Sequence, residues 1–187
     1  MTRDRQRLTE GAIALVLFGL TIPAANWLIG NAGAVCVPNG PCLVPVWPGI
    51  MAPSGVLMVG LALVLRDIVQ RRLGPLAGLG AIAVGALISA TLAPPAIVLA
   101  SVAAFLLSEL ADFAVYTPLQ RRRFVTAVFA SSVIGLVVDS LVFLHLAFGS
   151  LDFLAGQIIG KAWMVLLALP LMHLLRRRDE RLGLVAV

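Results

Sequence analysis

Six apolar runs, each about as long as a membrane-crossing helix, divide this chain, and short basic segments sit between alternate runs. They are read as spans over about residues 11–30, 53–70, 76–91, 95–116, 124–148 and 153–175. Some 20 apolar residues, rising about 1.5 Å each, match the hydrocarbon core of a bilayer. Of the 187 residues, 60% are hydrophobic and only 12% charged. A soluble domain of this size carries about 25% charged residues. The expected fold is an all-α integral membrane protein with six transmembrane helices, a single six-helix domain over residues 1–187. The first run resembles a secretory signal, with Ala32-Gly33-Ala34 as a small-x-small triplet after a basic leader. Its apolar stretch exceeds a usual signal core, so it is read as a retained span.

The basic residues set the orientation. Twelve of the fourteen lie in the leader, the Arg71-Arg72 turn, the Arg121–Arg123 turn and the tail. All four segments fall on one side of a six-span protein, which places both termini in the cytoplasm. The net charge of +5 and the pI near 10.6 are therefore read as an orientation signal. They are not read as a nucleic-acid footprint. Asn31 to Ala52 is expected to be a charge-free outer linker, with Pro53 in the first turn of the second span. Cys36 and Cys42 fall in this linker, as a disulfide or as two free thiols. Pro23 and Asn26 interrupt the first span, and Ala93-Pro94-Pro95 breaks the chain before the fourth.

Charges inside the spans point to function. Placing a charge at mid-bilayer costs roughly 2.5 kcal/mol or more, so it faces a protein interior or a watery cavity. The intramembrane set is Arg66, Asp67, Glu109, Asp112, Asp139 and Lys161, joined by Asn26 and Gln157. Glu109, Asp112 and Tyr116 share one helical face, as do Ser131, Gly135 and Asp139, and as do Gln157 and Lys161. Counted from the outer boundary, Arg66 lies at ~18 Å and Glu109 at ~21 Å. Asp139 lies at ~14 Å and Lys161 at ~12 Å. Two couples are therefore expected: Arg66 with Glu109 or Asp112, and Asp139 with Lys161. The bland reading makes both couples structural. Four acids against two bases leave acids over, which favours a substrate pathway, although Asp67 and Asp112 fall near the cytoplasmic interface. His145 and His173 have no companions for a metal site. The serines lack a nucleophile elbow, and no phosphate loop appears. Neither a cofactor nor an enzymatic activity is expected.

Several segments together resemble the queuosine-precursor transporter family, also called the putative vitamin uptake transporters. They are Leu65-Arg66-Asp67, Ser108-Glu109-Leu110-Ala111-Asp112-Phe113-Ala114-Val115-Tyr116, Val138-Asp139-Ser140 with Phe143, Ala147-Phe148-Gly149, and Gly156-Gln157-Ile158-Ile159-Gly160-Lys161. The resemblance covers about Pro53 to Pro170; the first span and its loop match poorly apart from Asn26. It implies a multi-pass carrier of the bacterial plasma (inner) membrane that imports 7-deazaguanines, chiefly 7-cyano-7-deazaguanine and 7-aminomethyl-7-deazaguanine. Asn26, Arg66, Glu109, Asp112, Asp139, Gln157 and Lys161 are the candidate substrate-binding residues. A carboxylate, Glu109 or Asp139, can accept the adjacent donors of a guanine-like edge. Arg66, Lys161, Asn26 or Gln157 can donate to its carbonyl or nitrile, and Phe105, Phe143 or Trp163 can cover the ring. The expected partners are this small molecule and the lipid bilayer, with room for a homo-oligomer. The competing readings are a substrate-binding subunit of an ATP-driven modular vitamin importer, a membrane lipid transferase and a structural subunit. Cysteine-accessibility labelling is expected to place residues 31–52 outside and residues 121–123 inside; reaction of both from one side would overturn the six-span reading.

Overall fold

The computed structural model describes residues 3–38, 40–93, 95 and 98–183. Pro94 of the expected break and Ala96 and Ile97 at the start of the fourth span lie outside the described residues, as do Met1 and Thr2 of the leader. Among the described residues six helices carry the fold: α1 (Arg3–Asn31), α2 (Val56–Leu73), α3 (Pro75–Leu92), α4 (Val98–Leu119), α5 (Phe124–Phe148) and α6 (Leu154–Leu182). Five of them, all but α2, are long and apolar enough to cross a membrane. The protein is thus a multi-pass membrane protein. The exception, α2, carries Arg66, Asp67, Arg71 and Arg72 within 18 residues. It sits where such charges can be hidden, packed against each of the other five helices.

Small residues let the helices close on α2. A Cβ on Gly60 would lie 2.6 Å from the Lys161 carbonyl, so α2 and α6 touch backbone to backbone there. Gly135 of α5 plays the same part, since a Cβ there would lie 2.8 Å from Leu63 and 3.2 Å from the Asp112 Cβ. The apolar core of α2, α4, α5 and α6 gathers around Leu63, Val64, Tyr116, Val128, Leu136, Val165 and Met172. A second cluster packs Ala14 and Phe18 of α1 on Leu65 and Val69 of α2 and Ala81 of α3.

The linker differs from expectation. It forms a three-stranded antiparallel sheet of β1 (Val35–Cys36), β2 (Cys42–Trp47) and β3 (Ile50–Pro53), in spatial order β1-β2-β3. Pro48-Gly49 turns β2 into β3, with Gly49 at φ 77, a turn conformation that suits glycine. Cys36 and Cys42 face each other across β1 and β2 and are joined as a disulfide. Pro53 ends β3 rather than opening a helix, because its segment is extended and α2 begins only at Val56. Pro23 does not break α1, which runs through it.

The Arg71-Arg72 turn is also not the solvated element that the basic pattern suggests. α2 continues through both arginines to Leu73, and Gly74 alone, at φ 92, separates it from α3. α6 runs on past Pro170 to Leu182, which carries Asp179 to this end of α2. Arg71 Nη2 lies 2.7 Å from Asp179 Oδ2 and Arg72 Nη2 lies 2.7 Å from Asp179 Oδ1. Glu10 of α1 joins the network, 2.9 Å from Arg72 Nε and 2.6 Å from Arg178 Nη2. Asp179 is 1% exposed, Arg71 8% and Arg72 4%. Removing one partner of a buried pair strands the other charge at a cost of about 3–5 kcal/mol. Asp179→Asn is therefore expected to lower the melting temperature in detergent markedly. Arg176→Ala, which breaks the exposed Arg176–Glu180 pair, is expected to cost about 1 kcal/mol or less. Equal melting of the two variants would contradict this account.

Candidate functional site

The Arg66 guanidinium is fully buried, and every part of its fork is occupied. Nε donates to Glu109 Oε2 at 3.0 Å, and Nη1 donates to Gln70 Oε1 at 3.0 Å. Nη1 also lies 3.0 Å from Asp67 Oδ1, and Nη2 bonds Asp112 Oδ1. Helical spacing explains the arrangement. Glu109 and Asp112 are three apart on α4, so both reach α2 at the height of Arg66. One turn on, the Tyr116 hydroxyl donates to the Asp67 backbone carbonyl at 3.1 Å. Gln70, one turn beyond Arg66 on α2, donates to Thr117 Oγ1 at 2.9 Å. Asp67 and Asp112 do not reach an interface: both are 0% exposed, because α5 closes over them. Ser131 Oγ lies 3.2 Å from Asp67 Oδ2 as its donor, and Gly135 lies against Asp112.

A second polar cluster stands on the same face of α5, at Asp139. Lys161 of α6 is fully buried and donates to Asp139 Oδ2 at 2.6 Å and to Ser140 Oγ at 2.8 Å. It also donates to Gln157 Oε1, one turn back on α6. An ammonium group has only donors, so the amide oxygen must face it. This fixes the Gln157 amide and leaves its NH2 for another acceptor.

Beside the two clusters lies a cavity of about 110 Å³, lined by the helices and by Pro53 at the end of β3. Its polar lining includes Asn26 of α1, Glu109 of α4, Asp139 of α5 and Gln157 of α6, and Phe105 and Phe143 supply aromatic walls. Four of the seven residues singled out from the sequence thus meet in one space. The other three stand behind that wall: Arg66 holds Glu109, Lys161 holds Asp139 and Gln157, and Asp112 bonds Arg66. Asn26 donates its amide to the Ile22 carbonyl at 3.0 Å, within its own helix. Trp163 lies elsewhere: its indole donates to the Val46 carbonyl at 2.8 Å and stacks on Trp47 with centroids 6.3 Å apart. It ties α6 to the sheet and does not line the cavity.

Asp67, Gln70 and Asp179 were not singled out for a site from the sequence. From the sequence, Asp67 counts among the intramembrane charges and falls, like Asp112, near the cytoplasmic interface, without being made a candidate binding residue. The adjacency of Arg66 and Asp67, with Gln70 one turn on, was the available signal. Thr21, Ser89, Ser101 and Ser108 also line the cavity, and serine or threonine in an apolar helix gives little warning of that.

No curated protein and no solved structure matches the chain. Residues 89–175 run from the end of α3 through α4 and α5 into α6, and so include Glu109, Asp112, Asp139, Gln157 and Lys161 but neither Asn26 nor Arg66. Over that stretch the chain carries the pattern of the family described as putative vitamin uptake transporter.

Proposed function

We propose that the protein imports 7-deazaguanine bases, with 7-cyano-7-deazaguanine as the probe ligand, and that the base sits in the cavity against Glu109. The family match supports uptake of a small molecule; the segments around Arg66, Glu109, Asp139 and Gln157 support this class of base. The observation that carries the reading is the Glu109 carboxylate, held from behind by Arg66 and presented at the cavity wall. A guanine-like edge offers an N–H beside an amino group. A carboxylate oxygen accepts at two lone pairs, so Glu109 keeps capacity after Arg66 has taken one site on Oε2. Gln157, with its oxygen turned to Lys161, is the natural donor to the base carbonyl. Phe105 and Phe143 are placed to cover the ring. Arg66 and Lys161 act in this reading by orienting acceptors, not by touching the base.

Two experiments test it. Glu109→Gln keeps the shape but turns one acceptor into a donor facing a donor. Equilibrium binding of the cyano base to folded variant protein is expected to weaken by about 2–4 kcal/mol, roughly 30-fold to 1000-fold. Wild-type affinity would move the base-reading role to Asp139. Uptake by the purified protein alone in liposomes is expected; binding without uptake would favour a subunit that needs an ATP-hydrolysing partner.

Asp139 and Lys161 are separable by a mutant cycle. Either Asp139→Asn or Lys161→Met alone leaves a buried charge unpaired and is expected to cost about 3–5 kcal/mol in stability, with the double variant costing less than the sum. Stability should recover in the double variant while affinity for the cyano base does not. Recovery of both would leave the pair a purely structural role.

A further inference from the structure

We propose that Asp67 and Asp112 share a proton, and that the cluster around Arg66 binds this proton together with the ligand, coupling uptake to a proton gradient. The proposal rests on the ligand reading above for its second half only.

Three observations carry it. One guanidinium faces three carboxylates, all within salt-bridge range of Arg66 and all cut off from solvent. Fully ionised, the cluster would hold a net charge of −2 in a medium that screens it little. Asp67 and Asp112 take the two terminal nitrogens of the Arg66 fork, Nη1 and Nη2, which brings the two carboxylates side by side. Two ionised carboxylates are acceptors only, so neither can serve the other unless one of them carries a proton. Asp112 Oδ2 is buried without a hydrogen-bond donor, as is Asp67 Oδ1 apart from its contact with Arg66. A shared proton gives the Asp112 oxygen its partner.

The groups facing the pair leave little else to supply that charge. From α2 come Arg66 and, further along, Arg71, which is engaged by Asp179. From α4 come Glu109 and Tyr116, whose hydroxyl is spent on the Asp67 carbonyl. From α5 comes Ser131, and Asp139 two turns on is taken by Lys161 of α6. Among the described residues, no group of three His, Cys, Asp or Glu side chains is arranged to hold a metal ion. A proton fits two neighbouring carboxylates that each keep a buried oxygen without a hydrogen-bond donor.

Position supplies the coupling. Glu109 belongs both to the cavity wall and to the Arg66 fork, whereas Asp112 lies one turn further from the cavity. A ligand that donates two hydrogen bonds to Glu109 holds it ionised. The negative charge so fixed beside Asp112 favours the proton on the Asp67–Asp112 pair. By linkage, the proton in turn favours the ligand. Ligand and proton bind together from the cavity side and leave together on the other.

The test uses the full chain and Asp67→Asn, an uncharged stand-in for the protonated acid. Infrared difference spectra on deuterium exchange should show a protonated carboxylic C=O band in ligand-free wild type that Asp67→Asn lacks; a wild type with no such band overturns the shared proton. In wild type, affinity for the cyano base should fall on alkalinisation, by up to about tenfold per pH unit. In liposomes, acid outside should drive accumulation. Asp67→Asn should bind with a flat pH profile and exchange labelled base across the membrane, yet fail to accumulate it against a gradient. Accumulation by this variant equal to wild type, or accumulation driven by sodium at constant pH, overturns the coupling. The band without any binding of the base would sink the deazaguanine reading and leave the shared proton standing.

Discussion

An arginine that cannot reach water has to be met inside the protein, and the way Arg66 is met governs how the helices of this bundle are arranged. Its guanidinium is fully buried on α2. Moving such an ion out of water costs several kcal/mol, and attraction offsets this only when the geometry is good and the remaining donors are satisfied. Here α4 brings two carboxylates and α2 itself brings Asp67 and Gln70. The helices must approach closely for these short acids to reach. Gly135 permits it, since a side chain there would push into Leu63 and Asp112. α2 is consequently the helix least suited to lipid and the one most enclosed by its neighbours. The charge that disqualifies it as an independent apolar span is the charge that recruits the others around it.

The polar groups are arranged in two ranks. Asn26, Glu109, Asp139 and Gln157 line the cavity, and Arg66 and Lys161 stand behind and fix three of them. A carboxylate or amide held by a cation loses rotational freedom before any ligand arrives, which lowers the entropy cost of binding. It also determines which end of an amide faces the cavity. The rank behind is therefore as important to recognition as the rank in contact. Arginine suits the position behind Glu109, because its planar fork addresses several acceptors at once where an ammonium would not.

The faces that carry this site were legible in the sequence, because helical periodicity is strict. Glu109, Asp112 and Tyr116 were expected on one face, and all three bond α2. Matched depth was enough to pair Arg66 with α4 and Asp139 with Lys161. What was not legible depends on contacts between distant segments. The Asp179 network joins residues 108 apart, and a basic tail reads first as an orientation signal. The small sheet was missed because prolines at 41, 45 and 48 argue against strands. Yet Pro48-Gly49 between Val46 and Ile50 was a turn signal of the usual kind. Trp163 could not be placed without the sheet it ties down.

The two ends of the bundle are held by different chemistry. At one end, arginines of α2 and α6 and acids of α1 and α6 form ion pairs across three helices. At the other, a backbone ladder and a disulfide hold a sheet whose last residue, Pro53, reaches the cavity wall, and Gly156 of α6 lets the sheet settle directly against that helix at the Met51 carbonyl. Ion pairs of this kind are strong only while water is excluded, and they weaken steeply as it enters. A ladder of backbone bonds stapled by a disulfide does not depend on dryness in that way. Between these ends the middle of the bundle has no backbone ladder, and its ion pairs are those of Arg66 and Lys161. It holds its shape through small residues in close contact and through the charge of Arg66, so the site and the main structural constraint of the fold occupy the same few helical turns.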